Sequence, residues 1–154
     1  MILRPAVRAD LPAMLALLED EDRVVDPASV EVGAAHEAAF EAIASDARNE
    51  LLVLVEGEPG GGGGVLLGFL QVTYIPGLGR GAGERALLEA VRIRPDRRGA
   101  GLGGELVRRA VERARARGCT LVQLTSHKDR ADAHRFYERF GFARSHEGFR
   151  LPLG

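Results

Sequence analysis

Seven consecutive residues, Arg98-Gly99-Ala100-Gly101-Leu102-Gly103-Gly104, are of the types best suited to gripping an anion. They join a strand-like run, Ala86–Ile93, to an amphipathic helical pattern that begins near Leu102. Glycine takes positive φ and lets backbone amides approach an anion closely, while the first turn of a helix presents N–H groups with no intrahelical partner. The expected ligand is a phosphorylated cofactor, and the plain alternative is a turn that only connects two elements. Gly99, Gly101 and Gly104 satisfy G-x-G-x-x-G. A dinucleotide fold, however, puts that turn after its first strand with an acid roughly 20 positions later. Here the turn comes only after residue 97, and Cys119–Gln123 carries no acid. A nucleotide-hydrolysing P-loop needs a lysine directly after its last glycine, and Lys128 is the chain's only lysine.

Two further residues have chemical potential. Glu89 sits inside an otherwise apolar strand pattern, where an acid is seldom placed without a partner. It is either a structural hydrogen-bond acceptor or a base. Tyr137 lies on a helix read over Asp129–Phe140, with Ala133, Phe136 and Phe140 at helical spacing. Spacing alone allows it to be a core ring or a proton donor. Asp129 is the expected N-cap, with Asp132 three residues on, and Gly141 suits the C′ position before Phe142 returns to a strand. Leu121–Ser126, just before this helix, reads as a buried strand.

These blocks together resemble the GNAT superfamily of N-acetyltransferases, in which I-E-x-V-x-V precedes R-G-x-G-x-G and a later helix reads A-x-x-F-Y-E-x-x-G-F. The chain has Leu88-Glu89-Ala90-Val91-Arg92-Ile93, then Arg98-Gly99-Ala100-Gly101-Leu102-Gly103, then Ala133-His134-Arg135-Phe136-Tyr137-Glu138-Arg139-Phe140-Gly141-Phe142. The opening Ile2–Asp10 also fits the usual first strand and helix entry, so the likeness spans nearly the whole chain. It implies an α/β GNAT fold: a mixed central sheet of about six to seven strands, splayed between the fourth and fifth, flanked by about four helices. It implies acetyl-CoA as co-substrate. Backbone groups of Val91, Arg92 and Ile93 would pair with the pantetheine arm, and Arg98, Gly99, Ala100, Gly101, Leu102, Gly103 and Gly104 would hold the pyrophosphate. Tyr137 would contact the cofactor and protonate the leaving thiolate, and Glu89, directly or through a water, would take the amine's proton. Glu84 and His127 are the other base candidates. Many relatives carry asparagine three residues before the Ala133 position; Arg130 stands there and could reach a phosphate or carbonyl of the cofactor.

The implied reaction moves an acetyl group to a primary amine of a small molecule or peptide by direct attack in a ternary complex. The alternatives are a non-catalytic acyl-CoA sensor and a transferase for a longer acyl group. By the same likeness, the acidic stretch Glu19–Asp26 and the loop Pro76–Glu84 should border the acceptor pocket. The acids could draw a cationic amine or simply be solvated, whereas Arg23, Arg80 and His36 would suit an amino acid or aminophosphonate.

The elements that must position these groups follow from pattern: strands 2–6, 50–56, 65–75, 86–93 and 119–126, helices 11–20, 34–47, 102–117 and 130–140, and a final strand pair within 141–152. Glu58–Gly64 reads as a hairpin connection with tolerated loop expansion. At 154 residues the chain fits one domain, 1–154. A net charge of −1 gives no general pull toward nucleic acid or anionic membrane, although Arg92, Arg94, Arg97 and Arg98 are dense enough to meet phosphates. Cys119 stands alone, so no internal disulfide can form and no metal site is expected. No leader pattern or spanning apolar run is seen, and a cytoplasmic location is the default. An exposed final strand would allow a homodimer.

Overall fold

The computed structural model describes residues 1–57 and 64–154. Its elements are β1 (Ile2–Pro5), α1 (Leu11–Glu19), α2 (Ala34–Ala44), β2 (Asn49–Glu56), β3 (Val65–Ile75), α3 (Gly79–Ala82), β4 (Arg85–Ile93), α4 (Leu102–Arg117), β5 (Leu121–Leu124) and α5 (Ala131–Phe140). The strands form one sheet in chain order. β1 to β4 pair antiparallel, and β5, reached through α4, runs parallel to β4.

The sheet is covered on both faces, which is why β2 reads as an unbroken apolar run rather than an alternating one. Leu52 and Leu54 point into one core with Leu70, Val72 and Leu88. Helix α4 closes that side with Leu102, Leu106, Val107, Ala110 and Ala114, a stripe at helical spacing. Val53 and Phe69 face the other core, against Leu11, Met14 and Leu17 of α1 and Phe40 of α2. Each fully buried leucine or valine in these layers contributes roughly 1.5–3 kcal/mol.

A set of charges ties α4 to the far end of the sheet. Glu50 of β2 accepts from the Tyr74 hydroxyl at 2.9 Å and from Arg113 Nη2 at 2.8 Å. The Arg117 guanidinium stacks 4.0 Å from the Tyr74 ring centroid and reaches Glu84 at 2.6 Å. Burial together with the Glu50 carboxylate pushes the Tyr74 phenol up to about 12. Burial also works to raise Glu50, but the hydrogen bonds from Arg113 and Tyr74 prevail and hold it below the ordinary 4.5.

Three expectations are corrected. The sheet has five strands, not six to seven, because the segment after Phe142 pairs with no strand among the described residues; an isolated strand has nothing to satisfy its backbone. A fifth helix, the single turn α3, joins the four expected; Arg80, Gly81 and Ala82 sit there at φ of 53°, 70° and 60°, a conformation hidden from helical periodicity. Helix α5 starts at Ala131 with Arg130 at the N-cap position, since the Asp129 amide turns back to His127 Nδ1 at 3.2 Å. Of the expected glycine-rich hairpin connection, residues 58–63 lie outside the described residues.

Gly68 decides how closely β3 and β4 approach. A Cβ there would lie 2.6 Å from the Arg92 carbonyl oxygen and 2.6 Å from Ile93 Cδ1, so only glycine fits without moving β4. Gly68→Ala is therefore expected to cost about 1–3 kcal/mol, read as a fall in urea midpoint at unchanged m-value. Glu50→Ala leaves Tyr74 and Arg113 without their acceptor and should cost roughly 2 kcal/mol, lowering the melting midpoint by about 4–8 °C. Because the folded carboxyl titrates below its unfolded value, this stabilisation is complete above pH 4.5 and is lost as pH falls through the folded value. The gap between wild type and variant should close on acidification, and a constant gap would contradict the assignment.

Candidate active site

The site is organised by an irregularity in β4. Pairing with β3 runs Thr73↔Leu87, Gln71↔Glu89, then Phe69↔Arg92, so β4 holds one residue too many opposite Leu70. Ala90 takes φ 52° at this point, a β-bulge. The consequence is a change of parity. Ala86 and Leu88 face the α4 core, and beyond the bulge Val91 and Ile93 face it instead. Arg92 is thereby turned to the α1 side, where it meets Glu21 at 3.5 Å. Without the extra residue its guanidinium would be aimed into the apolar core.

β4 also parts from β5 here. The parallel ladder ends at Leu88↔Leu124, which leaves Glu89–Ile93 with no sheet partner on that edge. Open backbone donors and acceptors of this kind accept an extended ligand as an added strand. Glu89 is exposed beside the opening and makes no ion pair or side-chain hydrogen bond among the described residues.

The glycine turn follows at the end of the open edge. Gly99 and Gly101 adopt φ of 83° and 78°, and a Cβ built on either meets nothing within 4 Å. The first helical bond of α4 runs from Glu105 N–H to Gly101 O at 3.1 Å, so the amides of Leu102, Gly103 and Gly104 have no intrahelical partner. Arg98 flanks the turn, 4.0 Å from Asp22. Arg92 Nε is buried without a hydrogen-bond partner among the described residues. An open turn of free amides beside an unpaired buried guanidinium nitrogen suits a phosphate-bearing ligand.

Helix α5 lies across α4's first turn. The positions a Cβ would take at Gly103 and Gly104 are each 3.9 Å from the Phe136 ring, so these glycines let α5 approach. The Tyr137 ring packs edge-on against Phe136 and Phe142 at 5.1 and 5.8 Å. Burial holds its phenol above the ordinary value, against the opposing pull of the Arg130 and Arg92 charges. Tyr137, Arg130 and Arg92 are thus brought to one place, with Val91 and Ile93 in the same core as the tyrosine ring.

Other sequence candidates fall elsewhere. Glu84 sits at the closed end of the β4–β5 ladder, where Thr120 N–H donates to its carbonyl at 2.9 Å. Its carboxylate is held low by Arg117. The whole Pro76–Glu84 loop, Arg80 included, lies at that end, a strand length of about 26 Å from the glycine turn. It does not border the opening. The acids after α1 do, through Glu21 and Asp22. His127 is exposed and 3.5 Å from Asp129, and burial pushes the Cys119 thiol up, away from nucleophilic use. Sequence reading missed Gly68 and the close approach of β4 that it allows, although an isolated glycine inside a strand pattern is the signal for such an approach. Among the described residues no cluster of three or more His, Cys, Asp or Glu is placed to hold a metal ion.

Known proteins share this fold. A Bacillus halodurans structure described as a transcriptional regulator is 39% identical, with 99% of each chain covered and a TM-score of 0.83. A Trypanosoma brucei acetyltransferase is 25% identical over 99% of each chain, at a TM-score of 0.76. An aminoalkylphosphonate N-acetyltransferase of Salmonella typhimurium is 39% identical over 66 residues, a match spanning 43% of this chain and 43% of that relative. The profile of the acetyltransferase (GNAT) family matches residues 12–142. Because that one continuous match takes in the bulged strand, the glycine turn and the tyrosine helix, the chain belongs to the acetyltransferase (GNAT) family.

Proposed function

We propose that the protein is an N-acetyltransferase that moves an acetyl group from acetyl-CoA to a primary amine of a small molecule or peptide, by direct attack in a ternary complex. The observation that carries this reading is the convergence of an open β4 edge, a glycine turn of free amides and Tyr137 around one opening. The cofactor supplies an activated acetyl thioester. Backbone groups of Val91, Arg92 and Ile93 hold its arm, and the amides of Arg98–Gly104 hold its pyrophosphate, with Arg92 and Arg130 adding positive charge. A backbone donor aimed at developing negative charge near Val91 is worth about 2.7–4 kcal/mol.

Glu89, exposed at the opening, takes the amine's proton directly or through a water. Tyr137 is a phenol at neutral pH, as an ordinary tyrosine is, and burial raises it further, so it is a donor for the departing sulfur. No covalent enzyme intermediate is involved. Glu21 and Asp22 at the lip favour a cationic amine. Arg23 in the same loop is compatible with an acceptor that also carries an anion, and the Salmonella relative's name makes aminoalkylphosphonates the first compounds to try. The regulator description of the B. halodurans relative favours a second reading, a non-catalytic acyl-CoA sensor.

Turnover over an amine panel separates the two readings. Acetyl-CoA at about 100 times its dissociation constant should add roughly 2.7 kcal/mol and raise the melting midpoint by about 5–10 °C, with NADH and ATP inert. Gly101→Val should abolish that rise, since a β-branched side chain occupies the open space over the turn; its positive φ also costs about 1–2 kcal/mol of stability. Tyr137→Phe should lower kcat by about 10²-fold or more with acetyl-CoA affinity nearly intact. Unchanged turnover would remove Tyr137 from the mechanism.

A further inference from the structure

Among the described residues, the buried side-chain atoms without a hydrogen-bond partner are Arg92 Nε and Ser126 Oγ, and both flank one opening. Arg92 is on β4 beyond its last rung with β5, Leu88↔Leu124, and Ser126 is two residues past that rung on β5. A buried donor left without an acceptor is uncommon in a folded protein. The rest of the Arg92 guanidinium is only lightly engaged: Nη1 donates to the Val91 carbonyl at 3.1 Å, and Nη2 stands 3.5 Å from Glu21. Nε and Nη2 form one edge of the guanidinium plane, the edge that grips a two-oxygen anion. Other arginines of this chain show that grip complete: Arg94 holds Asp96 at 2.9 and 3.0 Å, and Arg113 holds Glu50 at 3.2 and 2.8 Å. On Arg92 the same edge has one loose contact and one unpaired donor.

The bulge decides which ligand that edge faces. Phe69 is opposite Arg92 and Gln71 is opposite Glu89, and side chains two apart on a regular strand share a face. Glu89 and Arg92 therefore lie on one face of the sheet, although an odd count separates their numbers. Phe69 packs in the core under α1, which makes this the α1 face. The glycine turn opens α4, which covers the other face. The Arg92 charge is felt at the cofactor from either side, but a guanidinium fork grips one anion at a time. This fork is turned to the side where Glu89 would receive the amine. Its charge also reaches the Tyr137 phenol, so it stands near the reacting end of the opening. The other basic candidates for an acceptor anion are placed less well. Arg80 is at the closed end of the sheet, Arg23 is 81% exposed and tied to Asp20 at 2.9 Å, and His36 Nδ1 accepts from the Gly33 amide at 3.2 Å.

We infer that the Arg92 guanidinium grips an acidic group of the acceptor, and that the acceptor is a small zwitterion, a primary amine with a carboxylate or phosphonate a few bonds from its nitrogen. The inference rests on the transferase reading and names the acceptor class for that site. Glu89 and Arg92 are close along one strand, about 10 Å or less between Cα atoms. A short molecule with its amine at Glu89 thus meets the fork, whereas the far end of a polyamine would meet a like charge. Glu21 holds the place of that anion. Its contact is loose and its side chain is 53% exposed, so the acceptor's oxygens replace it with little lost. A bidentate, charge-assisted pair is the strong form of hydrogen bonding and fixes the acceptor's direction as well as its affinity.

Three amines that share an aminoethyl unit provide the test: propylamine ends in a methyl group, β-alanine in a carboxylate and 2-aminoethylphosphonate in a phosphonate. In acetylation by the wild type, kcat/KM should be about tenfold higher or more for at least one acid than for propylamine, and the better acid identifies the anion. Arg92→Gln should shrink that ratio by about tenfold or more through the acceptor's KM, and Arg92→Lys, which keeps the charge but loses the fork, should recover only part of it. Calorimetric titration of the same three amines into the protein with coenzyme A present gives the comparison without turnover. Equal use and equal binding of propylamine and the acids overturn the inference. So does an Arg92→Gln variant that keeps the wild-type ratio, or one that raises only the KM for acetyl-CoA, which would put the fork on the cofactor. Acids that bind through Arg92 and are never acetylated would support the grip while overturning the transferase reading.

Discussion

One extra residue in β4 governs this molecule. A strand in a two-faced sheet sends alternate side chains to opposite cores, so a single insertion at Ala90 reverses every assignment after it. Leu88 and Val91 therefore share a core although their numbers differ by an odd count, and Arg92 emerges beside the loop after α1. The parallel ladder with β5 stops at Leu88, just before the irregularity begins. The placement of Arg92 descends from the extra residue. Gly68 is its counterpart on β3, where the Arg92 carbonyl passes too close for a Cβ.

The two ends of the β4–β5 pair are built for opposite purposes. At the closed end, Glu50, Tyr74, Arg113, Arg117 and Glu84 form a connected set of hydrogen bonds and a cation–π contact that ties α4 to β2, β3 and the loop before β4. Its charges are only half-buried, so the set gives geometry more than a large net energy. At the open end two pairs are loose, Arg92–Glu21 at 3.5 Å and Arg98–Asp22 at 4.0 Å, and Arg92 Nε has no hydrogen-bond partner among the described residues. Loose pairing leaves the guanidinium groups free to change partners when an anion arrives, at little cost in lost contacts.

The catalytic proposal rests on an element that is weakly anchored. Helix α5 touches the rest of the chain through rings that remain half-buried, with Phe136 against the glycines of α4 as its nearest fixed point. An acid must be held closely to work, because small displacements at a reacting centre are costly in rate. The placement of the proposed acid is therefore a question of how α5 packs on α4.

Much was legible in the sequence because it depends on local pattern. The strand Ala86–Ile93, the glycine turn and the tyrosine helix ending at Gly141 were each visible from period and turn chemistry, and their order marked the family. Parity was not visible: Glu89-Ala90-Val91 contains nothing that distinguishes a regular strand from a bulged one, since the extra residue shows only in the pairing with β3. Nor was it visible that Pro76–Glu84 sits at the closed end, because strand direction is settled only when β5 joins β4 in parallel. The final strand pair expected within 141–152 does not form among the described residues, because a strand exists only when an edge is available to it. Residue types and spacing thus determined the elements and the chemistry they could carry. Register, pairing and burial decided which of those groups meet, because these depend on contacts between residues far apart in the chain.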